Sequence, residues 1–218
     1  MTNPNKTSIT VILDKSGSMD TIKTDTVGGY NSFIEDQKKL QGECYVSLVQ
    51  FNHEVEFTYT SKNIQELTQG LHQDQYSPSG YTALLDAIGK SILEKGSELS
   101  NLKEEDRPGR VMFVIITDGD ENSSRVFGND KIKEMIKHQT EVYNWDFTFL
   151  GANIDTFSVA NSMGISIDKS LSFSSAKMHG AKRAFASMSA YAGSTRLATS
   201  ASAAATTSYS TQDRADNA

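Results

Sequence analysis

The sequence predicts one α/β domain built on a mostly parallel sheet with helices on both faces. Three observations carry that expectation. Short apolar runs alternate with longer stretches of helical periodicity between Ile9 and Ala192. Several runs are apolar without interruption and rich in Val, Ile and Phe, the pattern of strands buried on both faces. The 218 residues suffice for one large domain and are few for two independent cores.

The first strand is read at Ile9 to Leu13, ITVIL. A helix within 20–40 follows, with Tyr30, Phe33, Ile34 and Leu40 at helical spacing and Gly42 as its stop. Tyr45 to Phe51 is a second strand. Val55 to Tyr59 alternates as an edge strand, joined to it by a turn at Asn52-His53. A loop holds Ser77, Pro78, Ser79 and Gly80. Residues 82–100 then read as a helix with Leu84, Leu85, Ile88, Ile92 and Leu93 inward. Pro108-Gly109 breaks the chain before Val111 to Thr117, VMFVIIT, the most apolar segment and the expected central strand. A helix over 129–142 (Ile132, Met135 and Ile136 inward), a strand at Phe147 to Leu150, a short helix over 155–163 closed by Gly164, and a weaker strand at Ile165 to Phe173 complete the alternation. Residues 175–195 read as helical through Met178, Ala181, Phe185, Met188 and Ala192. The domain is thus set at 1–197. The low-complexity end, 198–218, is expected to be flexible, unless its Ala-rich part extends the last helix into a docking contact.

Bulk properties exclude several classes. With 37% hydrophobic and 22% charged residues the chain is not disordered as a whole. A net charge of −6 gives no general pull toward nucleic acid or anionic lipid. Lys131, Lys133 and Lys137 are spaced like one solvated helix face. No apolar stretch is long enough to span a bilayer, and the polar first ten residues lack the centre of a secretory signal. The lone Cys44 permits no internal disulfide, and a cytoplasmic setting is expected. Cys44 opens an apolar run and reads as a buried thiol. A nucleophilic role would need a histidine base, and His53, His72, His138 and His179 fall in no motif.

The chemistry-bearing residues sit at predicted strand ends. Asp14-Lys15-Ser16-Gly17-Ser18 follows the first strand, Thr82 opens a helix, and Asp118 follows the central strand. All three would lie at the carboxyl edge of a parallel sheet, where open α/β sheets bind ligands. A hard divalent cation takes oxygen ligands: Asp14 and Asp118 offer anionic oxygens, and Ser16, Ser18 and Thr82 offer hydroxyls. Gly17 and Gly80 clear side chains where the backbone must bend. Asp-x-Ser-x-Ser alone is weak, arising by chance in about one chain in twenty of this size. The three segments in order are far more specific.

LDKSGSM, SGYTALLDAI and ITDG resemble the three segments of the metal-ion-dependent adhesion site of von Willebrand factor A domains. The resemblance covers about residues 7–195 and implies a Rossmann-like, doubly wound, six-stranded sheet with one antiparallel edge strand. It implies a bound Mg²⁺ or Mn²⁺, with Ca²⁺ weaker, held by Asp14, Ser16, Ser18, Thr82 and Asp118. It further implies a protein partner that offers the ion a carboxylate, and a stand-alone bacterial or phage setting. None of the five departs from the family's set, while Asp120 and Glu121 crowd the third segment with added negative charge. The leading expectation is therefore a metal-dependent binding module and not an enzyme. A Mg²⁺-dependent hydrolase is the alternative from another class, although no P-loop, second Asp two residues after Asp14, or nucleophile elbow accompanies it. A structural or assembly protein that oligomerises through its Ala- and Ser-rich end is a third.

Overall fold

The computed structural model describes residues 1–174 and 179–217. Six strands form one sheet: β1 (Asn3–Asp14), β2 (Glu43–Phe51), β3 (Val55–Asn63), β4 (Pro108–Thr117), β5 (Asp146–Ala152) and β6 (Ser170–Phe173). Their order is β3-β2-β1-β4-β5-β6. All neighbours run parallel except the β2–β3 pair, which is antiparallel at the edge as the alternation in 55–59 predicts. The helices are α1 (Lys23–Lys38), α2 (Leu84–Ser100), α3 (Asn129–Tyr143), α4 (Thr156–Ser162), α5 (Gly180–Leu197), α6 (Ala201–Ala205) and α7 (Thr211–Asn217).

The pleat divides the core in two. Ile9, Val11 and Leu13 of β1, with Met112, Val114 and Ile116 of β4, face α1 and α5 and pack on Tyr30, Phe33, Phe185 and Met188. Ile12, Phe113 and Ile115 face the other way, onto Leu84, Ile88 and Ile92 of α2 and Ile132 and Ile136 of α3. Because both faces are covered, the central strands must be apolar on both sides, which is why their uninterrupted runs mark them. Cys44 is buried as expected, and burial pushes its thiol up to about 11.

Four departures have physical reasons. Pro108-Gly109 opens β4 instead of preceding it, since proline is tolerated at the first residue of a strand. β1 begins at Asn3, its polar start held by backbone pairing with Pro108 and Glu43. Leu93, expected inward, is 58% exposed, because it turns away from the face shared by Leu85, Ile88 and Ile92. The last strand is confined to Ser170–Phe173, after a 3₁₀ turn at Ile167–Lys169. Met178 lies outside the described residues.

The low-complexity end makes packing contacts with the sheet and its neighbours. Tyr209 is 4% exposed, its ring stacks on Tyr191 at 4.8 Å, and its hydroxyl shares a 2.9 Å hydrogen bond with Thr148 Oγ1. The Tyr209 N–H donates to the Asp168 carbonyl (3.0 Å) and Arg214 to that of Ile167 (2.9 Å). One aromatic in a Ser/Thr-rich stretch anchors the segment. No described helix is long and apolar enough to cross a membrane.

Candidate metal centre

β1 and β4 lie side by side at the sheet's centre. The chain leaves β1 toward β2 and leaves β4 toward β5, on opposite sides, so a crevice opens at their carboxyl ends. Asp14 ends β1 and Asp118 follows β4 directly. Thr82 arrives from the loop before α2.

The Asp14 side chain is fully buried. Its Oδ1 accepts from the Ser16 N–H (2.6 Å) and its Oδ2 from Thr117 Oγ1 (2.5 Å). The Tyr76 hydroxyl donates to the Asp14 carbonyl. Ser16 Oγ and Ser18 Oγ lie 3.2 Å apart, and Ser18 Oγ donates to Asp118 Oδ1 (2.6 Å). A methyl group built on Gly119 would stand 3.0 Å from Thr82 Oγ1, 3.6 Å from Ser18 Oγ and 3.7 Å from Ser16 Oγ. The three hydroxyls therefore converge on the space beside that glycine, and a side chain there would intrude on it. All five residues predicted from sequence come together at one place.

Hydrogen bonds tie the loops to one another. Gly17 N–H donates to the Gly80 carbonyl (3.1 Å) and Ser79 N–H to that of Lys15 (2.8 Å). Gly80 sits at φ +75° with its α-carbon against the His53 ring, a position that a side chain would block. Asn52 bridges the loops: its Nδ2 donates to the Ser79 carbonyl (2.9 Å), and its own carbonyl accepts from Ala83 N–H (2.7 Å). Thr82 N–H donates to Asn122 Oδ1 (2.9 Å).

The extra acids of the third segment have separate fates. Glu121 turns inward and accepts from the N–H groups of Leu85, Ser123 and Ser124, and from Ser124 Oγ. It thus caps α2, and its charge is spent on backbone donors. Asp86 does the same for Arg125, Val126 and Phe127. Asp120 is exposed. Thr117, Tyr76, Asn52 and Asn122 were not singled out from sequence as site residues. Thr117 does stand next to Asp118, the one positional signal available.

Burial pushes the Asp14 carboxyl up to about 6, against the hydrogen bonds from Thr117 and Ser16 and with a further push from Asp118. Burial also raises Asp118, which the bond from Ser18 opposes. Two desolvated carboxylates so near each other favour a cation or a proton between them. Among the described residues no cluster of three or more His, Cys, Asp or Glu side chains is placed to hold a metal. The donors here are two carboxylates and three hydroxyls, a set that fits a hard, oxygen-seeking ion.

A family model for the von Willebrand factor type A domain matches residues 8–179. The chain belongs to that family. No curated protein matches the chain significantly. Among solved structures, a von Willebrand factor type A protein from Catenulispora acidiphila is 13% identical, with a TM-score of 0.59, over 87% of this chain and 43% of that one. Proximal thread matrix protein 1 from the mussel byssus, with a zinc-occupied adhesion motif, is 13% identical with a TM-score of 0.59, over 84% of this chain and 48% of that one. The corresponding domain of the type V pili tip protein Mfa5 from Porphyromonas gingivalis is 8% identical with a TM-score of 0.54, over 85% of this chain and 94% of that one. The A domain described here spans less than half the length of the first two. These likenesses establish the Rossmann-like fold, and the observed six-stranded sheet agrees with it.

Proposed function

We propose that this A domain is a binding module that uses one divalent ion, Mg²⁺ or Mn²⁺, to engage a carboxylate on a partner protein. Asp14, Ser16, Ser18, Thr82 and Asp118 would hold the ion. The observation that carries the reading is the convergence of three hydroxyls beside Gly119, bonded through Ser18 to Asp118 and flanked by the doubly held Asp14. The zinc-occupied motif of the mussel protein supports it by likeness.

With three of the five ligands neutral, the bound ion keeps affinity for an outside anion. This chain's own work is positional. Thr117 and the Ser16 N–H fix the Asp14 oxygens, Ser18 orients Asp118, and Asn122 and Asn52 set the Thr82 loop. Glu121 no longer opposes an acidic ligand, because its charge points into the loop.

The test is capture of protein from the native cell by the immobilised chain, in Mg²⁺ and in chelator, beside Thr82→Ala. The reading expects a partner retained in metal and lost in chelator and in the variant. Capture that ignores both would make the site structural. Phosphoester turnover by the pure chain, lost in Asp14→Ala, would overturn the binding reading in favour of a hydrolase.

A further inference from the structure

The opposite, amino edge of the sheet holds a second polar site. A cleft of about 300 Å³ is lined by Asn5 and Thr7 of β1, Gly42, Arg110 of β4, Arg196 near the end of α5, and Thr199. Arg196 is only 6% exposed. Its terminal nitrogens donate to the carbonyls of Gln37 (2.6 Å), Gln41 and Gly42 (3.4 Å each), and to Gln37 Oε1 (3.3 Å). Arg110 donates to the carbonyls of Pro4 and Ala198. The Nε of each arginine is buried without an acceptor.

The charge balance is what sets this cleft apart. The other buried ionisable residues are compensated. Lys95 pairs with Glu98 (2.6 Å), Asp146 pairs with Lys169, Asp86 accepts three backbone N–H groups, and Asp14 and Asp118 belong to the metal centre. No carboxylate of the described residues forms an ion pair with Arg110 or Arg196. The carbonyls around them offer dipoles but no net negative charge. A buried charge is tolerated when it is paired, so the buried Arg196, with the half-buried Arg110 beside it in one cleft, calls for an anion.

We propose that this cleft is an anion site that takes a phosphoryl group between the guanidinium groups of Arg110 and Arg196. A guanidinium carries five N–H donors in a planar fork. Arg110 gives one donor from each terminal nitrogen to a carbonyl and keeps one on each, whereas Arg196 has its terminal donors engaged and contributes its charge. A dianion that accepts from the free Arg110 donors matches both charges, whereas a carboxylate matches one. The volume is at the lower end of small-ligand sites, suited to a phosphate or a small phosphomonoester. The site is independent of the metal centre at the other edge.

The test is thermal unfolding of the full chain in chelator, with inorganic phosphate titrated against chloride at matched ionic strength. Chelator removes any phosphate effect routed through a metal ion. Saturating phosphate is expected to raise the melting temperature by roughly 2–6 °C. Arg110→Gln should abolish the rise. Asn5→Asp, which places a carboxylate at the mouth of the cleft on an exposed residue, should abolish it without threatening the fold. Asp14→Ala should keep it. A larger rise with phosphoserine than with inorganic phosphate would identify a phosphorylated partner as the source, and a smaller one the free ion; either supports the site. No rise in the wild-type chain overturns the proposal. So does an equal rise with acetate, or a rise that persists in both Arg110→Gln and Asn5→Asp.

Discussion

Thr117 shows how much of the candidate metal centre lies outside its proposed ligands. Its hydroxyl donates to Asp14 Oδ2 at 2.5 Å, and the opposite oxygen is fixed by the Ser16 N–H. Thr117→Val keeps the shape and removes the donor. It should weaken Mg²⁺ or Mn²⁺ binding by roughly tenfold or more while the domain stays folded, as read by titration calorimetry. Unchanged affinity would mean that Asp14 needs no orientation. Asp86 is not one of the candidate ligands. Burial raises its carboxyl, but bonds from the N–H groups of Arg125, Phe127 and Val126 outweigh that and, with Lys90, hold it below the ordinary carboxylate value. Its charged form therefore stabilises the fold above the unfolded value of about 4, and the contribution is lost as pH falls through the lower folded value. Asp86→Asn should cost about 1–2 kcal/mol near neutrality. The gap to wild type in denaturant titrations should close in acid below about pH 4. A gap that stays constant with pH would assign Asp86 a packing role instead. The five candidate ligands were legible because three short oxygen-bearing segments occur in order, each at a predicted strand end or helix start. Thr117, Asn52 and Asn122 were not, because the same residue types fill ordinary strands and turns.

At the scale of elements, β1 and β4 were the plainest features in the sequence. Burial on both faces leaves few polar positions to blur their apolar runs, and Asp14 and Asp118 stand at their carboxyl ends. The edge strand β3 was legible from its alternating sequence at 55–59, although its burial does not follow that alternation and the strand runs on to Asn63. Leu93 misled because two helical faces differ by a single residue step. Lys95 was invisible for a different reason. Its stem is buried, while its ammonium reaches Glu98 (2.6 Å) and Ser61 (2.7 Å), and composition does not reveal such pairing. The terminal segment was hidden by its own low complexity, since one side chain, Tyr209, carries its packing against Tyr191 and Thr148. Tyr209→Ala should lower stability by roughly 2–4 kcal/mol in denaturant unfolding. Ending the chain at residue 200 should lower the melting temperature in the same direction. A truncated chain that melts like the full one would restore the flexible tail.

For the whole molecule, strand order decides where the candidate site lies. The β3-β2-β1-β4-β5-β6 arrangement places its switch between β1 and β4, and the candidate ligands gather there. The two arginines of the proposed anion cleft lie at the other end of the same strands. A domain with a net charge of −6 thus keeps two local sites suited to opposite ions. Because an ion at the carboxyl edge binds only the folded chain, saturating Mg²⁺ should raise the melting temperature by a few degrees. Titration calorimetry of Mg²⁺ and Mn²⁺ into the wild-type chain and Asp14→Ala tests the central claim most directly. The account predicts one ion per wild-type chain and no measurable binding to the variant, with both proteins folded by circular dichroism. Wild-type protein that binds neither ion, or Asp14→Ala that binds as tightly as wild type, would contradict it.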